Sequence, residues 1–470
     1  MILFRLRRPH FSSFSLPTFI LRKPLAIFFF IYLLFSSSDL LYLPLLLFKV
    51  KLTNILAVLL FCAFCASRAV RIPKAIFGFT IALLGSMALS VWNSPNLIAS
   101  LGFIVFFLFN YVFYFLVPYN QFRFFQPDLL FKIYRCSFYC TGAYALCQIL
   151  FSILGIALPG TTQYIGGLAR GSALTYEPSF YALYMTPFAF YSTVRFLLQD
   201  RSVRRLKEVF WPNLLLLAST STGCFFSYLF FLFFIILFQY FKIIQLSISQ
   251  IVMKFSFSFL VGFTLLWFVQ KQLIVTGLLK FFYSSGVSHF SVQDRWRGLV
   301  EYWGIFLDHP FTGVSFGGGP FYLAQKEGAG SVDLLNRAIL IKYSPMNATT
   351  EILASVGILG ALCFLYFLSL LARMFRSALR ISALTDEERI QLIALALSIC
   401  VMFMTLQFNQ SIMRAYMWIH IGFFCGYMRH LQGKYSLSRS RLGSDQPSSE
   451  KKEKLPLLKQ DRIEIATPDK

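Results

Sequence analysis

The chain has 470 residues, of which 57% are hydrophobic and only 13% charged, and its mean hydropathy is +0.65. A soluble domain would carry about a quarter charged residues, so composition excludes an ordinary soluble enzyme. The net charge of +23 would suggest nucleic acid in a soluble chain. Here an excess of basic residues in cytoplasmic loops explains it, and no nucleic-acid partner is expected.

Residues 1–24, with Arg5, Arg7 and Arg8, read as a cytoplasmic arm. They are similar to the start of a signal peptide, but no small-residue cleavage site follows, so the first apolar run is expected to be retained. Apolar runs of about 20 residues then recur, each long enough to cross a hydrocarbon core of roughly 30 Å. In lipid such runs must satisfy their own backbone groups, which leaves helices or a closed barrel. They lack the period-two alternation of barrel strands. The expected fold class is therefore an all-α polytopic integral membrane protein, with a transmembrane domain over 25–428.

About twelve spans are expected, at 25–48, 52–67, 75–92, 97–117, 133–157, 178–198, 209–221, 223–241, 255–275, 347–372, 390–406 and 412–428. With the N-terminus inside, lysine and arginine divide roughly three to one in favour of the cytoplasmic loops, which places both termini in the cytoplasm. The pair 209–221 and 223–241 has an alternative reading as one long helix broken at "STSTG", which would invert everything downstream. The basic loop "ARMFRSALR" argues for two spans. The tail 429–470 is basic and low in aromatics, and is expected to be disordered in the cytoplasm, near anionic lipid. All nine cysteines fall in or beside spans, so Cys62 and Cys65 read as packing residues, and no disulfide or metal set is expected.

Two outer loops carry the remaining ionisable groups, which are costly at a membrane face unless paired or solvated. The first, 159–179, is Gly-rich and holds Arg170 and Glu177, with Pro178 suited to a first helical turn. The second, 276–346, is much longer and lies between spans 9 and 10. Within it "RWRGLVEYWGIFLDHPF" has apolar residues at helical spacing, predicting a short helix at the membrane surface. "GVSFGGGPF" reads as a plain loop, with a backbone phosphate nest as the alternative. Guanidinium groups fork onto phosphate oxygens, so converging Arg170, Arg295 and Arg297 would suit a diphosphate, against the plainer reading as loop charges paired to acids. Ser344 is the expected N-cap of the next helix and Pro345 its first residue, with Asn347 and Glu351 on one face. Glu351 serves either a substrate or the helix dipole.

The ordered set "RGSALTYEPSFYALY", "DRWRGLVEYWGIFLDHPFTGVSFGGGPF" and "MNATTEILASVGILGALCFLYFL" resembles the signature of the O-antigen ligase and polymerase superfamily. Arg170 and Glu177 match its Arg…Glu-Pro stretch. Arg295 matches the arginine ahead of the turn built from His309, Pro310, Gly313 and Gly317. Asn347 matches the asparagine of its His-Asn pair, and Gly357 to Gly360 its "GilG". Where the family places histidine, this chain has Met346, which cannot move a proton; that shifts the reading from ligase towards polymerase.

The resemblance implies a GT-C-type fold and inverting, metal-independent glycosyl transfer without a cofactor. Donor and acceptor would be glycans on undecaprenyl diphosphate at the outer (periplasmic) face of a bacterial cytoplasmic (inner) membrane. Membrane lipid and a chain-length regulator are further implied partners. Arg170 and Arg295 would hold the diphosphate, and Arg297, His309, Asn347 and Glu351 would bind substrate. Glu177 would be the general base, with Glu351 and Glu301 as alternatives. The product would be O-antigen or exopolysaccharide. A ligase passing the glycan to lipid A core or another acceptor, and a polysaccharide transporter or flippase, remain as alternatives.

Overall fold

A computed structural model describes residues 18–45, 48–67, 70–160, 164–165, 168–199, 206–244, 287–328, 339, 342–408 and 412–444. Among these the chain is largely helical. Five helices are long and apolar enough to cross a membrane: Lys74–Asn93, Leu97–Gln121, Pro127–Ile153, Ala348–Leu379 and Asp386–Phe408. Several shorter apolar helices accompany them, so the chain is a helical membrane-spanning protein. The expected span 255–275 lies outside the described residues.

In chain order, α1 (Thr18–Leu34) stops well short of the expected boundary at 48. Ser36 folds its hydroxyl back onto the Leu33 carbonyl, and the Asp39 N–H donates to Leu174. The chain then forms a small antiparallel hairpin, β1 (Tyr42–Leu45) with β2 (Phe48–Lys51), closed by a Lys51–Asp39 ion pair. Serine and aspartate compete with a helix for its own backbone groups, so the apolar run could not stay helical there.

Next come α2 (Leu52–Ala66), α3 (Lys74–Ser90) and α4 (Leu97–Phe109), which passes through a π-helical turn at Asn110–Phe115 into α5 (Leu116–Gln121). The Asn110 amide donates to the Met413 carbonyl at 2.9 Å, tying the turn to the segment before the last helix. Then follow α6 (Pro127–Ile153) and α7 (Pro178–Leu198), each opened by a proline whose missing N–H costs nothing at a helix start. α8 (Leu206–Leu217) and α9 (Thr222–Tyr240) are separate helices. The Tyr228 hydroxyl donates to Asn213 Oδ1 at 2.8 Å, so the chain doubles back at 218–221 and is not one long broken helix. Asn213 also donates to Thr193 on α7 and to its own Val209 carbonyl, which leaves a buried amide well satisfied. Tyr228→Phe is expected to lower stability by about 1 kcal/mol, read as a reduced melting temperature in detergent.

Further along the chain come α10 (Val287–Asp308), α11 (Gly318–Lys326), α12 (Ala348–Leu379), α13 (Asp386–Thr405) and α14 (Ala415–Ser444). The long loop thus holds a substantial helix, α10, and a second short one. α13 starts with a capping box between Thr385 and Glu388 and packs along α7 and α9, while α3 packs along α12. The helix α14 continues past the expected end of its span to Ser444, with Lys434 paired to Glu388.

Between apolar helices in lipid, association rests on close packing and hydrogen bonds. α14 carries Gly422 and Gly426, where a Cβ would lie 2.3 Å from the Phe115 carbonyl oxygen and 2.6 Å from that of Tyr119. Stacked rings bind α6 to α7 and α14, as in Phe138 with Tyr184, Phe131 with Tyr191 and Tyr134 with Phe423. Each such pair contributes about 0.5–1.5 kcal/mol beyond its area.

The helix α12 is interrupted at Gly357, whose φ of 60° and ψ of −162° are open to glycine alone. The break frees backbone groups, and the loop after α10 takes them up. Val314 and Ser315 N–H donate to the Ala354 and Ser355 carbonyls at 2.9 and 2.7 Å, and Ile358 N–H donates to Pro310 at 2.9 Å. Asn93, at the end of the short helical turn Val91–Asn93 that follows α3, donates to Thr312 Oγ1 and the Gly313 carbonyl. The part beyond the break, 358–379, is about 33 Å long at 1.5 Å per residue, enough to cross a bilayer unaided. The part before it is a separate short helix at one end of the bundle.

Candidate functional site

At that end lies a cavity of about 210 Å³ lined by Glu177, Phe180, Tyr302, Met346, Glu351 and Arg414, with Phe103, Ser344, Pro345, Ser355 and, at the start of α11, Gly317, Gly319 and Pro320 completing the wall. Its construction follows from helix starts. Glu177 is the N-cap residue of α7, Gly317 of α11, Met346 directly precedes the N-cap of α12, and Arg414 directly precedes α14. Four helix N-termini therefore border one space, the positive ends of their helix dipoles, although that of α12 is already capped, with Thr350 N–H donating to Asn347 Oδ1 and Thr349 N–H to Gln407 Oε1.

Glu177 is exposed towards this space, and its carboxylate accepts from the Ser179 hydroxyl at 3.0 Å. Its carbonyl, not its side chain, does the capping work, accepting from Phe180 and Tyr181 N–H. Arg170 is partly buried beside it. Arg170 Nε donates to the Ser219 carbonyl and Thr220 Oγ1, and a terminal nitrogen donates to the Thr220 carbonyl at 3.1 Å. Thr220 sits at a left-handed φ of 46°, so this guanidinium holds a strained turn between α8 and α9. Burial pulls the Arg170 guanidinium down to about 10, Glu177 draws it up and Arg295 pushes it down. Burial also lowers Arg295, and Glu177 opposes that shift. The three groups form one electrostatic cluster.

Glu351 is 4% exposed, and its Oε2 accepts from the Ile412 N–H at 3.3 Å. Tyr302 on α10 donates to the Tyr343 carbonyl. Burial first, then the charges of Glu351 and Glu301, push its phenol well above the ordinary value. Arg414 places its guanidinium carbon 3.8 Å from the centroid of the Phe180 ring, a cation–π contact.

The structure thus brings Glu177, Glu351 and Met346 onto one wall, with Arg170 and Arg295 in the field of Glu177. It does not bring the other expected residues there. Arg297 pairs with Glu301 at 3.2 Å, and the His309 ring meets Tyr322 edge-on. Asn347, rather than the expected Ser344, is the N-cap of α12. Its Oδ1 accepts from Thr350 N–H at 2.9 Å and its amide donates to the Gln407 carbonyl, so Pro345 is not the first helical residue. Ser344 to Met346 turn into the cavity wall instead, because Asn347 has a carbonyl on the neighbouring Gln407 to anchor it. The helix start and the far carbonyl use both ends of the Asn347 amide, so it does not share the cavity-facing position of Glu351. In the loop between α10 and α11, Gly313 lies where a Cβ would meet the Ser355 backbone at 2.4 Å, which makes it a packing contact for α12.

Arg414, Phe180 and Tyr302 were not expected at the site. For Arg414 the signal was in the sequence: an arginine at the very start of the span 412–428, where an ionisable group is expensive. Among the described residues no three His, Cys, Asp or Glu side chains converge to hold a metal ion. What the wall offers is one guanidinium, that of Arg414, together with the Glu177 and Glu351 carboxylates at a place where helix N-termini gather. No protein-family model matches the chain, and no curated protein matches its sequence.

Proposed function

We propose that this chain is a membrane glycosyltransferase resembling the O-antigen ligase and polymerase superfamily, and that it polymerises oligosaccharide repeat units linked to undecaprenyl diphosphate. Twelve passes, a GT-C-type arrangement, cytoplasmic termini and a site at the outer face of a bacterial cytoplasmic membrane belong to the same reading. The observation that carries it is the cavity wall, which the exposed Glu177 carboxylate shares with Arg414 beside four helix N-termini, with Arg170 and Arg295 in the electrostatic field of Glu177.

On this reading an acceptor hydroxyl attacks the anomeric carbon of the donor from the face opposite the diphosphate. The new carbon–oxygen bond forms as the bond to diphosphate breaks, with inversion, and Glu177 takes the hydroxyl proton. Charge developing on the leaving diphosphate is met by guanidinium groups and helix N-termini. Arg414 is the cation on the cavity wall itself, whereas Arg170 serves the turn at 218–221. Arg414→Gln is expected to raise the KM for lipid-linked donor about ten- to a hundredfold while the protein stays folded, since a charge-assisted hydrogen bond contributes about 1.5–3 kcal/mol. An unchanged KM removes Arg414 from donor binding.

Met346 on the wall favours polymerase over ligase, because a thioether cannot relay the proton that the family's histidine is placed to handle. Gel analysis of surface and lipid-linked polysaccharide from a strain lacking the gene separates the readings. A single repeat unit on its acceptor, with the ladder gone, means polymerase. Bare acceptor with long polymer on the lipid carrier means ligase. An unchanged profile removes both and favours a transporter.

A further inference from the structure

The helix α10 has three distinct faces. One is turned to the protein: Gly298 packs on Met346, and Tyr302 and Ile305 are buried. A second is polar, with Arg297 paired to Glu301 and Asp308 paired to Lys326 at 3.0 Å. The third is apolar and bare. Trp296 is 67% exposed, Val300 51%, Trp303 45% and Leu307 62%, at i, i+4, i+7 and i+11, which places them in one stripe.

We propose that this stripe is seated in the lipid bilayer, in the interfacial layer of the leaflet at the cavity end, so that α10 is a lipid-borne wall of the cavity. Continuity with the membrane-facing surface identifies the occupant. Just beyond α10, Phe311 is 71% exposed, and its carbonyl accepts from Leu359 N–H on α12. From there Ile358, Leu359, Leu362 and Leu365 are exposed along the part of α12 long enough to cross a bilayer. The α10 stripe therefore extends an apolar belt that already faces lipid. Its tryptophans fit the headgroup layer, where an apolar ring with one N–H donor is favoured, and Trp92, 93% exposed beside the loop that Asn93 holds, lies in the same region. The polar stripe is left for water, and Tyr302 on the cavity wall, with Arg295 in the field of Glu177, is carried by a helix that the membrane positions. This inference does not depend on the reaction the cavity performs.

The test uses the full chain in vesicles of phosphatidylethanolamine and phosphatidylglycerol, with a genetically encoded nitroxide side chain at position 300, 307 or 297. Collision with oxygen, which partitions into lipid, is compared with collision with a water-soluble nickel chelate. Oxygen is expected to dominate severalfold at 300 and 307, and the nickel chelate at 297. Nickel dominance at 300 and 307 overturns the proposal in favour of a water-facing stripe. Low collision with both reagents also overturns it, by showing that a second copy or another protein covers the stripe. Should the label disturb α10, native tryptophan fluorescence gives an independent reading. Trp296→Phe together with Trp303→Phe is expected to reduce the share of emission quenched by lipid brominated near the headgroup. An unchanged share overturns the proposal.

Discussion

Glu177→Gln protein is expected to reach the membrane in normal amounts and to leave lipid-linked repeat units unextended, with turnover reduced about 10²- to 10⁴-fold, the usual worth of a general base. Glutamine keeps the size of the side chain and an oxygen for the Ser179 hydroxyl, and it removes only the charge and the basic oxygen. Because Glu177 caps α7 with its carbonyl alone, helix formation should be untouched. Turnover of synthetic lipid-linked repeats in proteoliposomes, normalised to folded protein, is the measurement. Near-normal chain lengths would remove Glu177 from the proposed role and pass it to Glu351. The two are separable, since Glu351 is buried and accepts from the Ile412 N–H. Glu351→Gln should therefore lower the melting temperature as well as activity, and Glu177→Gln should lower activity alone.

Gly357→Val is expected to abolish stable folding, with a loss above roughly 3 kcal/mol from backbone strain and overlap together. At φ 60° and ψ −162° no side chain is accommodated, and a Cβ would lie 2.3 Å from the Phe311 carbonyl. Gly313→Val meets the same contact from the other side, 2.4 Å from the Ser355 backbone. Opening this junction would strand the Ala354, Ser355 and Ile358 backbone groups near lipid, where each unsatisfied group costs several kcal/mol. Gly85→Ala in α3 is the control. Nothing lies within 4 Å of its Cβ, so alanine should be neutral or stabilising by up to about 1 kcal/mol. Thermal unfolding in detergent checks all three. A Gly357→Ala or Gly357→Val protein as stable as the parent would mean that the loop and helix do not interlock in this register.

Hydropathy alone identified a helical membrane protein and marked where most helices lie, because a run long enough to cross lipid is a local property of the chain. The sequence also marked Arg170, Glu177 and Arg295 as candidates, since charge beside an apolar run stands out residue by residue. Elsewhere local rules pointed the wrong way. Ser344 and Pro345 form a good helix start by themselves, yet Asn347 caps α12 because Gln407, far along the chain, accepts its amide. Arg170 looked available for phosphate, and the turn at 218–221 claims much of its guanidinium. The break at Gly357 reads in the sequence as an unbroken apolar helix. Only the arrival of residues 310–315 makes it possible, by supplying donors and acceptors to the interrupted backbone. Which helix starts surround one cavity, and which arginines remain to serve it, depends on hydrogen bonds between segments distant in sequence. Those pairings exist only once the bundle has packed.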